Sequence, residues 1–287
     1  MTDDQYEQLR PLAFSIAYRM VGSVTEAEDL AQEAMLRFHR SDVESPRAFI
    51  SAVTTRLAID HLRSARVRRE TYVGPWLPEP LLTDPAPGPG ERAELADSLS
   101  QAFLVLLERL TPTERAAFLM REVFGHEYAE IGRMLARSEG SCRQLVSRAR
   151  RHVDAERPRF EADTAKRQQL TARFIEAIEE GDTEGLTGLL AADAVFMSDG
   201  GGKATAARKQ LHGAARVARV LVGIARSRVR LFDDVGDRAV WVNGQPGLIL
   251  FENGHIGSVM ALDIADGQVQ AVRVMRNPEK MSHLDLA

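Results

Sequence analysis

The chain has one cysteine in 287 residues, no lysine before Lys166 and no long apolar run, and each scarcity narrows what it can be. A single thiol, Cys142, excludes an internal disulfide framework and a thiolate zinc site. Lying on the apolar side of a helical pattern, it reads as a small core residue. No segment approaches the roughly 20 apolar residues that span a bilayer, and the start MTDDQYEQLR is too polar and acidic for a signal peptide or an anchor. A cytoplasmic protein with no membrane partner is expected. Net positive charge is also lacking: the formal charge is -4, and residues 1–157 hold 21 Arg against 24 Asp plus Glu. Affinity for a polyanion must therefore come from local clusters, for which arginine, with its bidentate fork, is the better cation. Hydrophobic residues at 44% suffice for cores in two or three domains at this length.

What is present organises around LTPTERAAFLMREVFGHEYAEIGRMLARSEGSCRQLVSRARRHV, Leu110 to Val153. Thr111, Pro112 and Glu114 supply an N-cap, a first-turn proline and the reciprocal carboxylate of a capping box, and Gly125 stops the helix they start. A short helix over 127–135 follows, Ala136 and Arg137 turn the chain, and Ser138 caps a helix from Glu139 to about Val153. In that last helix Cys142, Leu145, Val146, Ala149 and Val153 form a stripe at helical spacing. The other face carries Ser141, Arg143, Gln144, Ser147, Arg148 and Arg151. Arg and Gln reach base edges in the major groove, and Arg and Ser reach phosphates, so the pattern is that of a helix-turn-helix with its recognition helix. The plainer reading is an arginine-rich solvated helix in a bundle, but cap, turn, stripe and basic face agree on the first. Gly140 is a weak helix former in the opening turn, costing up to about 1 kcal/mol against Ala unless a phosphate approaches closely there.

Upstream, Leu9 to Val21 forms an amphipathic helix with Leu9, Ala13, Ile16 and Met20 inward, ended by Gly22. Thr25 and Glu28 are spaced as a second capping box opening TEAEDLAQEAMLRFHR. Its polar face, with Asp29, Gln32, Glu33 and Arg37, is either a solvated face with ion pairs one turn apart or a docking surface. Ser45 and Pro46 open a long helix in which Phe49, Ile50, Val53, Leu57 and Leu62 face a core while Thr55, Arg56, Asp60, Arg63, Arg66, Arg68 and Arg69 face outward. Five arginines there make a local basic patch of the kind a phosphate backbone selects.

Residues 72–92, YVGPWLPEPLLTDPAPGPGER, hold half of the 12 prolines and exclude a helix or a central strand. As an extended linker the segment spans roughly 60 Å, enough for two DNA-binding units to sit well over one helical turn apart. Trp76, Leu77, Leu81 and Leu82 are unusual in a spacer and call for a docking partner. A helix over 93–110 then leads into the helix-turn-helix. After Pro158 the texture changes: two helices flank Gly181-Asp182, residues 206–224 read as helix, and VRLFDDV, RAVWVNG, GLILFEN, SVMALDIAD and VQAVRVM alternate as strands. Helices followed by a curved antiparallel sheet predict an α+β cone enclosing a pocket.

EAEDLAQEAMLRFHR and PRAFISAVTTRLAIDHLRS resemble region two of the sigma-70 family, and 110–151 resembles its region four, in the short extracytoplasmic-function (ECF) layout. WLPEPL (Trp76, Leu77, Pro78, Glu79, Pro80, Leu81), DGGGK (Asp199, Gly200, Gly201, Gly202, Lys203) and NPEKM (Asn277, Pro278, Glu279, Lys280, Met281) are similar to the signatures of the ECF subgroup with a C-terminal SnoaL-like domain of the NTF2-like fold. The resemblance implies a multidomain chain: an all-α region-two bundle at 1–71, a Pro-rich linker at 72–92, a region-four helix-turn-helix at 93–157 and an α+β NTF2-like cone at 165–287. It implies a promoter-recognition subunit of bacterial RNA polymerase, with core RNA polymerase and promoter DNA as partners. Asp29, Gln32, Glu33 and Arg37 would dock on polymerase; Arg56, Asp60, Arg63, Arg66 and Arg69 would hold the upstream promoter element as it opens; Ser141, Arg143, Gln144, Ser147, Arg148 and Arg151 would read the element near -35. The C-terminal domain would stand in for a separate anti-sigma protein, with WLPEPL, DGGGK and NPEKM meeting in one intramolecular interface that biases the sigma domains. SnoaL-like domains include enzymes, and Asp199, His212, His255 and Asp263 are the candidate acid-base groups here. Their separation defines no pair, and DGGGK lacks the spacing of a phosphate-binding loop. No catalytic residue, metal or cofactor is therefore expected, and any small-molecule ligand of the cone is unidentified. The competing reading is a one-component repressor whose cone senses a ligand and whose helix-turn-helix binds DNA without polymerase.

Overall fold

The computed structural model describes residues 3–70, 72–84, 98–154 and 163–284, without the side chains of 3, 4, 65–70 and 154. Arg66 and Arg69 of the basic patch, the prolines at 85, 87 and 89, and the start of the expected 93–110 helix lie outside that description. The chain divides into two compact units, one of residues 1–71 with 103–157 and the other of residues 72–102 with 158–287.

In the first unit, helices α1 (Asp3–Val21), α2 (Val24–His39) and α3 (Pro46–Glu70) pack as a bundle. Leu9, Ala13, Ala31, Ala34, Met35, Phe38 and Ile50 form its core, with Phe49, Val53 and Leu57 against it. Gly22, at φ 71, ends α1. The cap of α2 is Ser23, whose Oγ accepts from Glu26 N at 3.2 Å; the Thr25/Glu28 capping box is not the one used. With Gly22 terminating α1, the first residue able to cap is the next one, so α2 starts two residues earlier than a cap at Thr25 allows. Thr55 also departs from expectation: it is fully buried and donates to Met120 Sδ at 3.5 Å. The reason is that α3 has a second partner, α5 (Pro112–Glu122), which covers a face that appears solvent-bound in the sequence.

Short α4 (Gln101–Leu107) precedes the helix-turn-helix of α5, α6 (Tyr128–Leu135) and α7 (Glu139–Asp154). Thr111 and Glu114 close the capping box in both directions, Thr111 N donating to Glu114 Oε2 at 3.2 Å and Glu114 N to Thr111 Oγ1 at 3.3 Å. Ala136 makes the turn at φ 52, and Gly132 permits it: a Cβ on Gly132 would sit 2.8 Å from Arg137 O. Ser138 Oγ accepts from Ser141 N at 3.2 Å to open α7, whose stripe of Cys142, Leu145, Val146, Ala149 and Val153 is buried.

The second unit is a curved sheet in the order β1-β4-β5-β6-β7-β2-β3, built from β1 (Leu82–Thr83), β2 (Leu190–Asp199), β3 (Leu211–His212), β4 (Val235–Val242), β5 (Gln245–Glu252), β6 (His255–Ala265) and β7 (Gln268–Met275). Helices α8 (Thr164–Glu180), α9 (Thr183–Leu189) and α10 (Ala214–Leu231) belong to the same unit. The expected antiparallel sheet is a mixed one, because β2 pairs in parallel with β7. Two boundaries move as well. The helix expected over 206–224 runs from Ala214 to Leu231, so VRLFDDV is the helix's last three residues and the connection to β4, with only Val235 in a strand. Alternating Arg and Val in that stretch suits either period, and Val217, Ala218, Leu221 and Val222 decide for the helix by burying one face. One sheet face and the helices share a core of Phe174, Leu186, Phe196, Leu221, Leu248, Leu262 and Val272. The helices and sheet form the expected cone, and the sheet's seventh member, β1, comes from the proline-rich segment.

Candidate functional site

On α7 the side chains of Arg143, Gln144, Ser147, Arg148 and Arg151 are all exposed, and Ser141 is half-buried at the start of the helix. Arg143 is held by an ion pair to Glu139 and by the Tyr128 ring, with its guanidinium carbon 4.7 Å from the centroid. Arg121 approaches the same ring at 4.8 Å. Arg148 Nε donates to Glu114 Oε1 at 3.1 Å, so the capping carboxylate of α5 also braces the recognition face. Burial works to raise the Glu114 pKa, but its hydrogen bonds to Thr111 and Arg148 outweigh this and hold it below the ordinary value. The helix thus presents a polar fringe whose cations are oriented before any ligand arrives.

The α2 face is also outward, with Asp29, Gln32 and Arg37 exposed and Glu33 half-buried in a 2.7 Å pair with Arg37. Amid these residues sits Leu36, 45% exposed, which reading by polar residues alone passes over. The face therefore combines one exposed apolar side chain with surrounding polar and charged ones. On α3, Asp60 and Arg63 are exposed and lie 3.4 Å apart. Arg56 has a second engagement: its Nε donates to Met134 O at 2.7 Å and its Nη2 to Arg133 O at 2.9 Å, satisfying the last carbonyls of α6. A buried arginine missed in the sequence, Arg115, ties the same unit together. Its Nη1 donates to Met20 O at 2.6 Å and its Nη2 to Leu107 O at 2.6 Å, with Glu108 2.7 Å away. Burial lowers its pKa to about 9.

In the second unit the three short motifs converge. Asp199, fully buried, accepts four hydrogen bonds on one carboxylate: at Oδ1 from the Tyr72 hydroxyl (2.6 Å) and Gly201 N (3.0 Å), at Oδ2 from Leu77 N (2.8 Å) and Lys280 Nζ (2.8 Å). Lys280 also donates to Leu77 O at 2.6 Å and lies 4.4 Å from the Trp76 ring centroid and 4.8 Å from that of Tyr72. Asn277 Nδ2 donates to the Tyr72 oxygen at 3.0 Å, and its Oδ1 accepts from Glu279 N to start a short 3-10 turn, Pro278–Lys280. Lys203 pairs with Glu279. Gly201, at φ 57, has to be glycine, since a Cβ there would lie 2.3 Å from Asn277 Nδ2 and 2.9 Å from the Tyr72 oxygen. Leu77 is fully buried and Pro78, Glu79 and Pro80 are buried too. Burial first, then the bond to Asp199, raises the Tyr72 pKa.

A second clasp, absent from the sequence expectations, holds the next residues. Asn243, in the Asn-Gly turn between β4 and β5, donates its N to Leu81 O at 2.7 Å and accepts Leu81 N on Oδ1 at 3.1 Å. Its Nδ2 reaches Leu99 O at 3.0 Å. The expectation of an extended spacer therefore narrows, since residues 72–84 are a bound strap ending in an edge strand. Pro75, Pro78 and Pro80 precede the two-residue strand, so none of them takes a ladder position. The enzyme candidates do not assemble. Asp199 is committed to the strap, Asp263 pairs with Arg273, His255 bonds Asn253 O at 2.9 Å in a turn, and His212 is exposed on β3. None of the four lines the cavity of the cone. Among the described residues no group of His, Cys, Asp or Glu is placed to hold a metal, and no helix is long and apolar enough to cross a membrane.

Comparison with known proteins converges with this geometry. Residues 5–68 match the model of sigma-70 region 2 and residues 100–153 that of sigma-70, region 4. The chain is 34% identical over 295 residues to the ECF RNA polymerase sigma factor SigJ of Mycobacterium tuberculosis, covering 98% of this chain and 94% of that one. It is 32% identical over 285 residues to the probable ECF sigma factor SigI of the same organism, covering 96% and 93%. The crystal structure of M. tuberculosis SigJ superposes with a TM-score of 0.81 at 33% identity over the whole of both chains. A capped helix-turn-helix, a helical bundle with an exposed polar face and a cone strapped to the segment between them, matched along almost their whole length, leave one assignment: the chain belongs to the ECF RNA polymerase sigma factors of the sigma-70 family.

Proposed function

We propose that this protein directs core RNA polymerase to specific promoters and starts transcription there, under control in cis of its own C-terminal domain. The α2 face of Asp29, Gln32, Glu33 and Arg37, with Leu36 at its centre, docks on polymerase. Arg56, Asp60 and Arg63 of α3, continued by Arg66 and Arg69, hold the upstream element as it opens. Arg143, Gln144, Ser147, Arg148 and Arg151 of α7, with Ser141, read the element near -35. Control runs through the strap: WLPEPL, DGGGK and NPEKM form a regulatory interface whose hub is Asp199. The observation that supports the reading is an exposed α7 face of braced arginines, in a chain whose linker is bound by the appended domain. A tethered domain acts at high effective concentration, so even modest contacts bias the chain to which it is joined.

Run-off transcription from a candidate promoter, with and without core RNA polymerase, tests it. Transcripts that require both core and this protein are expected, with activity altered when Asp199 is replaced by Ala. Specific duplex binding by the chain alone, with no transcript when core is added, would overturn the proposal in favour of a ligand-sensing repressor.

A further inference from the structure

The cone encloses a cavity of about 840 Å³, in the range of pockets that take small organic molecules. Most of its wall is apolar: Phe196, Leu221, Leu248, Leu250, Met260 and Val274. At one end stands a charged cluster that neither promoter recognition nor the strap uses. Glu252 at the end of β5 lies between Arg276 and Arg228. Arg276 Nη2 donates to its two oxygens at 3.3 and 3.2 Å, and Arg228 Nε is 3.6 Å from Oε1. Arg276 also donates to Thr205 O at 3.3 Å, and Arg228 to Gly236 O and Phe251 O at 3.1 and 3.0 Å. The Nε–H of each arginine finds no hydrogen-bond partner among the described residues.

Two guanidiniums share one buried carboxylate, Glu252, with the exposed Asp237 near Arg228 as the second negative group, and the two Nε–H donors are left without a hydrogen-bond acceptor in a largely apolar cavity. Unsatisfied cationic donors in such surroundings are costly and are relieved by an anionic acceptor. Of the other acidic groups that line the cavity, Asp237 is exposed and also acts on Arg228, while Glu179 and Glu180 are exposed and screened by solvent. The mouth itself is apolar, with Ile224 38% and Val229 69% exposed, surface more suited to admitting a hydrophobic body than a small inorganic ion.

We infer that the cone binds an amphipathic organic monocarboxylate, its apolar body along Leu248, Leu250, Met260 and Val274 and its carboxylate on Arg276 and Arg228. Ser198 adds a hydroxyl donor on the same wall, since its Oγ accepts from Ala207 N at 2.7 Å and its proton remains to be given. Such a ligand would be felt at the strap. The main-chain N of Arg276 donates to Asp199 O at 2.7 Å, and that of the next residue, Asn277, to the same oxygen at 2.9 Å. One residue therefore has its side chain in the cavity and its backbone on the hub.

The test is isothermal titration of the full-length protein, without polymerase, with decanoate and with decanol, which shares the chain but lacks the charge. Decanoate is expected to bind at one site, at least about tenfold more tightly than decanol, the size of a charge-assisted hydrogen bond. Arg276→Gln should bring decanoate to the decanol level and leave decanol unchanged; Leu250→Trp, which fills the cavity from another strand, should weaken both. Equal binding of the two probes, no binding of decanoate, or decanoate binding that survives both substitutions would overturn the inference. Each of those outcomes leaves the promoter-recognition reading standing, because polymerase is absent from the measurement.

Discussion

Replacing Asp199 with Ala removes a buried carboxylate that accepts four hydrogen bonds, two of which hold the strap: Tyr72 OH at 2.6 Å and Leu77 N at 2.8 Å. Bonds to a charged acceptor contribute about 1.5–3 kcal/mol each. Part of that is returned when the opened strap is hydrated, so a net loss of about 3 kcal/mol in the strap's closing free energy is the working figure. At 1.4 kcal/mol per factor of ten, this raises the open population roughly a hundredfold. Hydrogen exchange at the Leu77 amide reads it directly, with the Asn243 amide, bonded to Leu81 O at 2.7 Å, as an internal reference for the second clasp. Asn at position 199 does not rescue. It has one acceptor where two oxygens are used, and its amide hydrogens would face either the Leu77 N–H and Lys280 ammonium together or the Gly201 N–H. If Leu77 stays as protected in Asp199→Ala as in the parent, with the Asn243 amide unchanged and the protein folded, Asp199 is not the hub.

Other outcomes follow from the same contacts. Arg115→Met, which strands Glu108 and the carbonyls of Met20 and Leu107, should cost about 3–5 kcal/mol in urea unfolding, and an unshifted midpoint would count against a structural role. Arg143→Ala should weaken promoter binding by about 1–3 kcal/mol and relax preference at one base pair, seen by gel shift across single-base variants; a uniform loss across sequences would make it a phosphate contact. Arg56→Ala should lower the stability of the free protein by about 1–2 kcal/mol through loss of its two bonds to α6, and unchanged thermal unfolding would refute that bracing. Tyr72 is raised above its ordinary value of 10.0, chiefly by burial and then by its bond to Asp199. Its contribution is therefore complete below pH 10 and fades as pH climbs through the folded value, so tyrosinate absorbance should show one late-titrating group that disappears in Tyr72→Phe, where a normal titration would exclude the bond.

The helix-turn-helix was legible almost to the residue because its signals are local. Thr111, Glu114, Gly125 and Ser138 act within four residues of themselves, and the α7 stripe repeats at a single period. The meeting of WLPEPL, DGGGK and NPEKM was legible only through family resemblance, since no spacing along the chain brings residue 77 to residues 199 and 280. Thr55 misled for the opposite reason, whereas Arg56 is exposed as expected and adds bonds to the end of α6. A polar residue on a helix is assigned to solvent by default, yet α3 meets a second helix on that side, and threonine and arginine can satisfy their groups on Met120, Arg133 and Met134 there. Asn243 passed as turn chemistry, which it is, at φ 54; its use as a clasp depends on where the Leu81 backbone runs. The cavity cluster escaped because Arg228, Glu252 and Arg276 lie on a helix, a strand end and a segment after the last strand.

These contacts bear on how reach is controlled. The prolines between the two sigma regions give an extended spacer, but the thirteen residues from Tyr72 to Asp84 are held on the cone by Asp199, Lys280 and Asn243. At polyproline rise they amount to roughly 40 Å of path. While the strap is bound, that length does not contribute to separating the α3 face from the recognition helix. Arg56 meanwhile spends its donors on the end of α6, an interaction it must surrender before it can serve a promoter strand. On the function proposed above, release of the strap lengthens the tether and release of Arg56 frees a cation, so both favour the same open arrangement. Polymerase and promoter shift the chain toward it only by the difference between what they gain there and what these contacts supply in the closed form. The sign of the C-terminal domain's control thus rests on the strength of a few contacts around Asp199. A carboxylate, a lysine and a tyrosine hydroxyl are well suited to that task, because each contributes a separate, directional bond to the strap whose loss shifts the balance by a definite amount.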